Sequence, residues 1–340
     1  MTMPFRRLFS WKSCFYELFL PALRRLGPAR GDRAICAIGR LLARTWPGRR
    51  KRLEQALAHA ADALAPETRL EALWPELGAG TVRFLVRDYL LDVSGDAGVL
   101  ERFEVHGHEH LLRALAAGQG AMLVGSHFGA HLAGLHWLLR SGLPICPMVQ
   151  RPPHISGVLS RLLDARSAQE PEHDLFLRRD LTPAAAVDLL LRARAALRNG
   201  RAVYACGDIP WQGPNCRPGC LLGRDYRFLS IWADLAALTR APAFHVFCSH
   251  LPGGRFRLEI EAVGLVHAGE GDHAVADFLG QLEARIANDP AQAVAHLLWP
   301  CFNPSAGPAG QPGRRARPSR RSHAAGGSVQ RRLGRTPTPG

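Results

Sequence analysis

Between about positions 30 and 100, apolar residues recur every three or four positions among basic ones, in AICAIGRLLARTW, RRKRLEQALAHAADAL and TVRFLVRDYLLDV. That spacing predicts amphipathic helices, with Pro47 and Gly48 parting the first two. From FEVHGHEHLLRALAAGQGAMLVGSHFG onward the pattern changes to short strand, helix, Gly-rich turn and strand. The runs GAMLVGS, GLPICPMVQ, RAVYACGD and APAFHVFCS have strand length, and helix-length segments such as HLAGLHWLLRS and TPAAAVDLLLRARAALRNG separate them. Such alternation predicts βαβ units: an α/β fold with a mostly parallel central sheet flanked by helices, preceded by a helical N-terminal region. RFRLEIEAV alternates apolar and charged positions and predicts a further strand, half exposed or at an edge. DHAVADFLGQLEARIANDPAQA supplies a terminal helix, followed by HLLWPCFNP, and the folded body is expected to stop near Phe302.

Composition changes this picture only at the two ends. With 47% hydrophobic and 21% charged residues the 340-residue chain is an ordinary globular mix. Its net charge of +14 is unevenly spread, since the acid-free, Gly/Pro/Ser/Arg-rich segment after Phe302 holds Arg314, Arg315, Arg317, Arg320, Arg321, Arg331, Arg332 and Arg335. Residues 303–340 therefore read as a disordered basic tail. At the other end, residues 1–30 interleave Phe5, Leu8, Phe9, Trp11, Phe15, Tyr16, Leu18, Phe19 and Leu20 with Arg6, Arg7, Lys12, Arg24 and Arg25. No uninterrupted apolar run or small-residue cleavage site marks a signal peptide there, and no stretch approaches the roughly 20 apolar residues of a membrane span. An interfacial helix on an anionic membrane surface fits the segment, with packing on the domain as the competing reading. The run Arg49, Arg50, Lys51, Arg52 reads as a solvated face or as additional headgroup attraction. Residues 31–302 form the expected α/β domain with its helical N-terminal part. The eight cysteines are scattered, mostly in apolar contexts, and read as reduced, buried thiols of a cytoplasmic domain.

Chemistry is expected where strands end, because ligands in open α/β sheets bind beyond the carboxyl ends of the strands. His127 sits there, in GSHFGAH, directly after the strand GAMLVGS. Ser126 beside it lacks the Gly-x-Ser-x-Gly elbow of a hydrolase nucleophile. The histidines of PHISG, VHGHEH and HAGEGDH lack a His-Glu-x-x-His arrangement, Cys216 and Cys220 lack Cys-x-x-Cys spacing, and GPNCRPGCLLG lacks the Gly-Lys-Ser/Thr end of a phosphate loop. No metal and no organic cofactor is expected.

The order of segments resembles the lipid A late acyltransferases, the lauroyl and myristoyl transferases within the lysophospholipid acyltransferase superfamily. The likeness covers about residues 35 to 302 and runs through WPGRRKRLEQAL, FEVHGHEHLLRALAAGQGAMLVGSHFGAH, VQRPPHISGVLSRLLDAR and LRNGRAVYACGDIPWQGPNCRPGCLLGRDYRFLSIWADLAALTRAPAFHVF. The resemblance implies a membrane-associated enzyme at the cytoplasmic face of the bacterial inner membrane. Such an enzyme moves a fatty acyl chain from acyl carrier protein or coenzyme A to a hydroxyl of a lipid or lipid A-like acceptor. It implies His127 as general base, Arg151 after its strand as a phosphate-binding guanidinium fork, and Gly223 and Arg224, at a turn before a helix, as part of an acceptor or acyl pocket. For Arg151 the competing reading is a surface ion pair, and for Gly223 and Arg224 a structural turn.

The sequence departs from the resemblance at the motif itself. In the family's His-x-x-x-x-Asp/Glu motif the acid holds the second ring nitrogen of the base and stabilises the imidazolium that forms. Here position 132 is Leu. Loss of the equivalent acid in a serine protease costs about 10⁴ in turnover. Three groups offer a replacement: His131, four residues on but a poor counter-charge; Asp208, a carboxylate at the end of RAVYACGD and the preferred substitute; and Glu109, expected to be a solvated helix residue. Asp208 also reads as a helix cap or loop acceptor. Leu132 motivates an alternative function, a non-catalytic homologue that binds lipid or acyl carrier. Nucleic acid is not expected as a partner, because the body shows no recognition motif and only the tail is strongly basic.

Overall fold

The structure is a computed structural model. It describes residues 14–302 apart from 46–49, scattered positions between 52 and 67, and residues 87, 94–95, 152–154, 178–181, 212 and 214. Arg6, Arg7, Lys12, Arg49, Arg52, Pro152 and the arginine tail thus lie outside the described residues.

Pro28 at the first turn and Gly27 at φ 73° start the first long helix, α1 (Pro28–Arg44), which crosses α2 (Leu70–Val86) at an unusually close point. A β-carbon on Gly39 would lie 2.4 Å from the Gly78 carbonyl, and one on Gly78 equally close to the Gly39 carbonyl. Only glycine fits at that crossing. Asp32 of α1 accepts both guanidinium bonds of Arg83 of α2, at 2.8 and 2.9 Å, fixing the crossing angle beside it. Ahead of α1, Leu20 and Leu23 are buried with Ile35, Val82, Val86 and Leu90, and Phe15, Tyr16 and Phe19 pack against them. These three aromatics are therefore spent on the domain, while Leu18, Leu26, Leu41 and Leu42 stay exposed. No helix among the described residues is long and apolar enough to cross a membrane.

The remaining strands build one six-stranded sheet. In chain order β1 is Phe103–His106, followed by α3 (His108–Ala116); β2 is Ala121–Gly125, followed by α4 (His131–Arg140); β3 is Ile145–Pro147, followed by α5 (Gly157–Gln169) and α6 (Pro183–Arg198); and β4 is Ala202–Cys206. A hairpin of β5 (Cys216–Leu221) and β6 (Arg224–Leu229) leads to α7 (Ile231–Thr239), then come β7 (Ala243–Leu251), β8 (Arg255–Gly264), α8 (Gly271–Asn288) and α9 (Val294–Phe302). The strand order is β1-β8-β7-β2-β4-β3, parallel throughout except for the antiparallel pair β7 and β8. The sheet is thus mostly parallel, as the alternation predicts.

Side-chain alternation sorts the sheet into two cores. Met122, Val124, Val203, Ala205 and Phe247 face one layer with Trp232 and Phe278, while Ala121, Leu123, Tyr204, Phe244, Val246 and Cys248 face the other with Leu135 and Leu138. All five residues of β2 are buried, as expected of a central strand covered on both faces.

The expectation for β8 holds in its half-exposed alternative, and two others need correction. The alternating strand β8 is half exposed, yet it lies between β1 and β7 rather than at an edge, because its charged positions find partners there: Arg255 and Arg257 meet Glu104 of β1, and Glu261 meets Arg285. HLLWPCF continues as a further helix, α9, after α8. Among seven described cysteines, Cys36, Cys146 and Cys248 are buried, but Cys206 and Cys216 are half-buried and Cys14 and Cys220 exposed; none is in a disulfide.

Candidate active site

Parallel pairing of β2 with β4 puts Gly125 opposite Cys206. Two residues beyond each partner stand His127 and Asp208, so the register itself brings an imidazole and a carboxylate side by side at the carboxyl edge of the sheet. Both strand ends are tightened by glycine. The Gly207 N–H donates to the Gly125 carbonyl at 2.9 Å, and a β-carbon on Gly125 would lie 2.1 Å from the Tyr204 hydroxyl. The next turn is held as firmly: Phe128 N–H donates to Ser126 Oγ at 3.3 Å, Gly129 N–H to the Gln292 carbonyl at 3.1 Å, and Ala130 N–H to the Cys248 carbonyl at 2.7 Å. Gly129 has φ 57°, and a β-carbon there would sit 2.4 Å from the Cys248 carbonyl. Ser126, buried and engaged as a turn acceptor, is a structural residue of this loop.

The carboxylate of Asp208 accepts from His127 twice, from ring Nδ1 at 2.9 Å and from the backbone N–H at 2.6 Å. A third donor was not foreseen: His296 of α9 approaches Asp208 Oδ2 through Nε2 at 2.8 Å. Side-chain exposure falls from 37% at His127 to 6% at His296 and 1% at Asp208, so the imidazole of His127 is the member that reaches the surface. Burial alone would raise the pKa of Asp208, but the charge and hydrogen bond of His127 and the hydrogen bond of His296 outweigh it and hold the carboxyl far below its usual range. Asp208 is therefore an acceptor only, which places a proton on Nδ1 of His127 and its lone pair on Nε2.

The floor of the site is Tyr204 and Cys206. Burial first, then the negative charge of Asp208, raises the Cys206 thiol, and burial likewise raises the Tyr204 hydroxyl. Ligand atoms of His127, Cys206 and Asp208 lie within 4.8 Å of one another, a spacing that a metal could bridge. Their chemistry favours a relay instead: the histidine and carboxylate are satisfied by each other, and the thiol is driven away from the thiolate form that a metal takes.

Of the other sequence candidates, His131 opens α4 with its ring 5.1 Å from that of His127. Glu109 is an exposed residue in the first turn of α3. Leu132 is buried in α4. Arg151, 43% exposed, pairs with Asp164 at 2.7 Å and donates to Ser160 Oγ at 2.8 Å, and the bond to Asp164 raises its already high pKa. Gly223, at φ 69°, and Arg224 form the tip of the β5–β6 hairpin rather than a turn directly before a helix. The hairpin was invisible as strands because Arg217, Pro218, Asp225 and Arg227 break the apolar pattern. Its second strand instead pins the exit of β4: Leu229 N–H donates to the Ile209 carbonyl at 2.9 Å and Trp211 N–H to the Arg227 carbonyl at 2.7 Å. His296 escaped notice because a lone histidine in AVAHLLWP carries no motif; only the strand-end geometry reveals it.

The site is thus a histidine oriented by a buried carboxylate, both at the carboxyl edge of the mostly parallel sheet of an α/β protein. The family model of bacterial lipid A biosynthesis acyltransferases matches residues 2–295, and the chain belongs to that family. A search of curated proteins found no match.

Proposed function

We propose that this chain transfers a fatty acyl group from a thioester of acyl carrier protein or coenzyme A to a hydroxyl of a lipid A-like acceptor. Nε2 of His127 takes the proton of the acceptor hydroxyl as its oxygen attacks the thioester carbonyl. The new ester C–O bond forms, the C–S bond breaks, and the proton passes to the departing thiolate. Asp208 stabilises the transient imidazolium through Nδ1–H, the task assigned to an acid at position 132 in the motif that the sequence resembles. The observation that carries the reading is the contact between His127 and Asp208. It also favours catalysis over the alternative of a binding-only homologue, whose premise was a base without an acid.

Arg151 and Gly223 with Arg224 remain the proposed anion and acceptor contacts. Arg151 would exchange Asp164 for a phosphate of carrier or acceptor. The exposed Leu18, Leu26, Leu41 and Leu42 lie among Arg24, Arg25, Arg40 and Arg44 in sequence, a composition suited to a peripheral seat on the anionic cytoplasmic face of the inner membrane. No metal or redox cofactor enters the scheme.

The test is a single-turnover assay of the full chain with acceptor-containing membranes, offering labelled acyl carrier protein and acyl coenzyme A in parallel, with His127→Ala as control. Transfer that vanishes in the variant is expected. Equal label transfer, or none, in both proteins would discard the catalytic reading.

A further inference from the structure

Asp208 has two carboxylate oxygens, and the ring of His127 uses one. The other accepts the backbone N–H of His127 and Nε2–H of His296, a residue 88 positions further along the chain. His296 is almost wholly covered, and its remaining ring nitrogen, Nδ1, is buried without a hydrogen-bond partner among the described residues. Its one polar contact is thus made to the carboxylate on which His127 depends. Burying an imidazole with one nitrogen unsatisfied costs free energy, which a purely space-filling position would avoid with leucine or phenylalanine.

A carboxylate turns easily about its terminal torsion, which is broad and roughly two-fold. Without His296, both donors to Asp208 come from His127 itself, so the carboxylate and the base loop are tied to each other but to no third element. A donor to Oδ2 mounted on α9 supplies that separate anchor. The segment before α9 is itself anchored to the loop that carries the base. Gln292 accepts Gly129 N–H through its carbonyl, accepts His250 N–H through Oε1 at 2.7 Å, and returns Nε2–H to the His250 carbonyl at 3.2 Å and to Asp289 Oδ2 at 2.6 Å. Against the other side of this segment, the carbonyl of Ala291 comes so close to Gly80 of α2 that a β-carbon would lie 2.2 Å from it. The frame that carries His296 is therefore fixed to both the base loop and the N-terminal helices.

We infer that His296 is a positioning residue, which by donating Nε2–H to Oδ2 of Asp208 keeps Oδ1 on Nδ1 of His127 and so holds the base in its Nδ1–H tautomer. This rests on the reading of His127 as the base, and it makes α9 part of the site.

The experiment reads the ring directly, so that its result does not depend on finding the acceptor. Full-length protein labelled with ¹⁵N-histidine is examined by long-range ¹H–¹⁵N correlation, with His127 assigned by its loss in His127→Ala. Wild type is expected to show one tautomer at His127, with the proton on Nδ1. His296→Leu, which keeps bulk and removes the donor, is expected to show a mixture of tautomers, and His296→Gln, which keeps an N–H donor, to restore the single form. In the acyl-transfer assay the same leucine variant should lose about tenfold or more in kcat with KM little changed, in line with loss of a hydrogen bond to a charged group. An unchanged His127 tautomer in His296→Leu would overturn the inference, as would a folded His296→Gln that fails to restore it. If His296→Leu does not fold, His296→Met, which also removes the donor, is read in its place, and an unchanged single tautomer there overturns the inference. A protein without transfer activity but with the expected spectra would reject the proposed function and leave the positioning role standing.

Discussion

His127 gives both its ring Nδ1–H and its backbone N–H to the two oxygens of a single carboxylate, Asp208. The backbone bond ties the carboxylate to the loop that carries the base, and the ring bond sets which nitrogen holds the proton. Replacing Asp208 with Asn leaves the shape but puts a donor where an acceptor is needed, which favours the wrong tautomer. By analogy with the serine-protease acid, Asp208→Asn should lower kcat by about 10³- to 10⁴-fold. His127→Ala should cost a similar factor and the double variant hardly more, because residues acting as a unit are not additive. Single-turnover rates of the three variants check this.

Leu132→Glu restores the carboxylate of the motif by sequence but not by geometry. Position 132 is buried, and Nδ1 of His127 is already occupied. The variant should therefore not raise kcat, and the unpaired buried acid should lower stability by about 2–4 kcal/mol. Thermal unfolding and the transfer rate measured on one preparation separate the two effects. A rate increase would mean that Asp208 does not serve the base.

Gly129→Ala tests the loop. A side chain at φ 57°, facing the Cys248 carbonyl, forces backbone movement where His127 is held. An expected loss of about 1–3 kcal/mol in stability should be accompanied by a fall in kcat larger than that of any surface substitution. Denaturant unfolding and kinetics together provide the check.

A separate buried pair governs stability against pH. Asp88 is fully buried, accepts Ser156 Oγ–H at 2.6 Å and Ser156 N–H at 3.1 Å, and is raised by burial to about 6. His136, whose Nε2 lies 3.8 Å from Asp88, is lowered by burial to about 3. A raised carboxyl contributes stability that is fully present below its unfolded value near 4 and is lost as pH rises through about 6. A lowered histidine contributes stability present above its unfolded value near 6.5 and lost as pH falls through about 3. Between pH 4 and 7 the Asp88 contribution should therefore decline by up to about 3 kcal/mol. The His136 contribution rises over much of the same range, so the wild-type melting temperature should change little there, whereas that of Asp88→Asn should rise with pH; an unchanged slope in the variant would refute the assignment.

The sheet was legible because β2, β3, β4 and β7 are short apolar runs parted by helix-length segments, and the meeting of His127 with Asp208 was legible because both stand just past such runs. Three features were not. The β5–β6 hairpin hides behind arginines and a proline, held by pairing to the exit of β4 rather than by burial of both faces. The interior place of β8 follows from charge partners on neighbouring strands that lie far away in sequence. His296 is one histidine in an apolar helix, and its role arises only from where α9 is carried by Gln292 and Ala291.

The order in which the chain is made gives the C-terminal helix a further meaning. β2 is synthesised well before β4 and β7, which flank it, and longer still before His296. Parallel neighbours so distant in sequence close slowly, since the entropy of a long loop must be met before the contacts form. A growing chain that already exposes His127 therefore holds an unaimed imidazole, and the acid–base pair is completed only when nearly the whole domain has left the ribosome. Products truncated before the end of β4 would lack Asp208, and those truncated before α9 would lack His296.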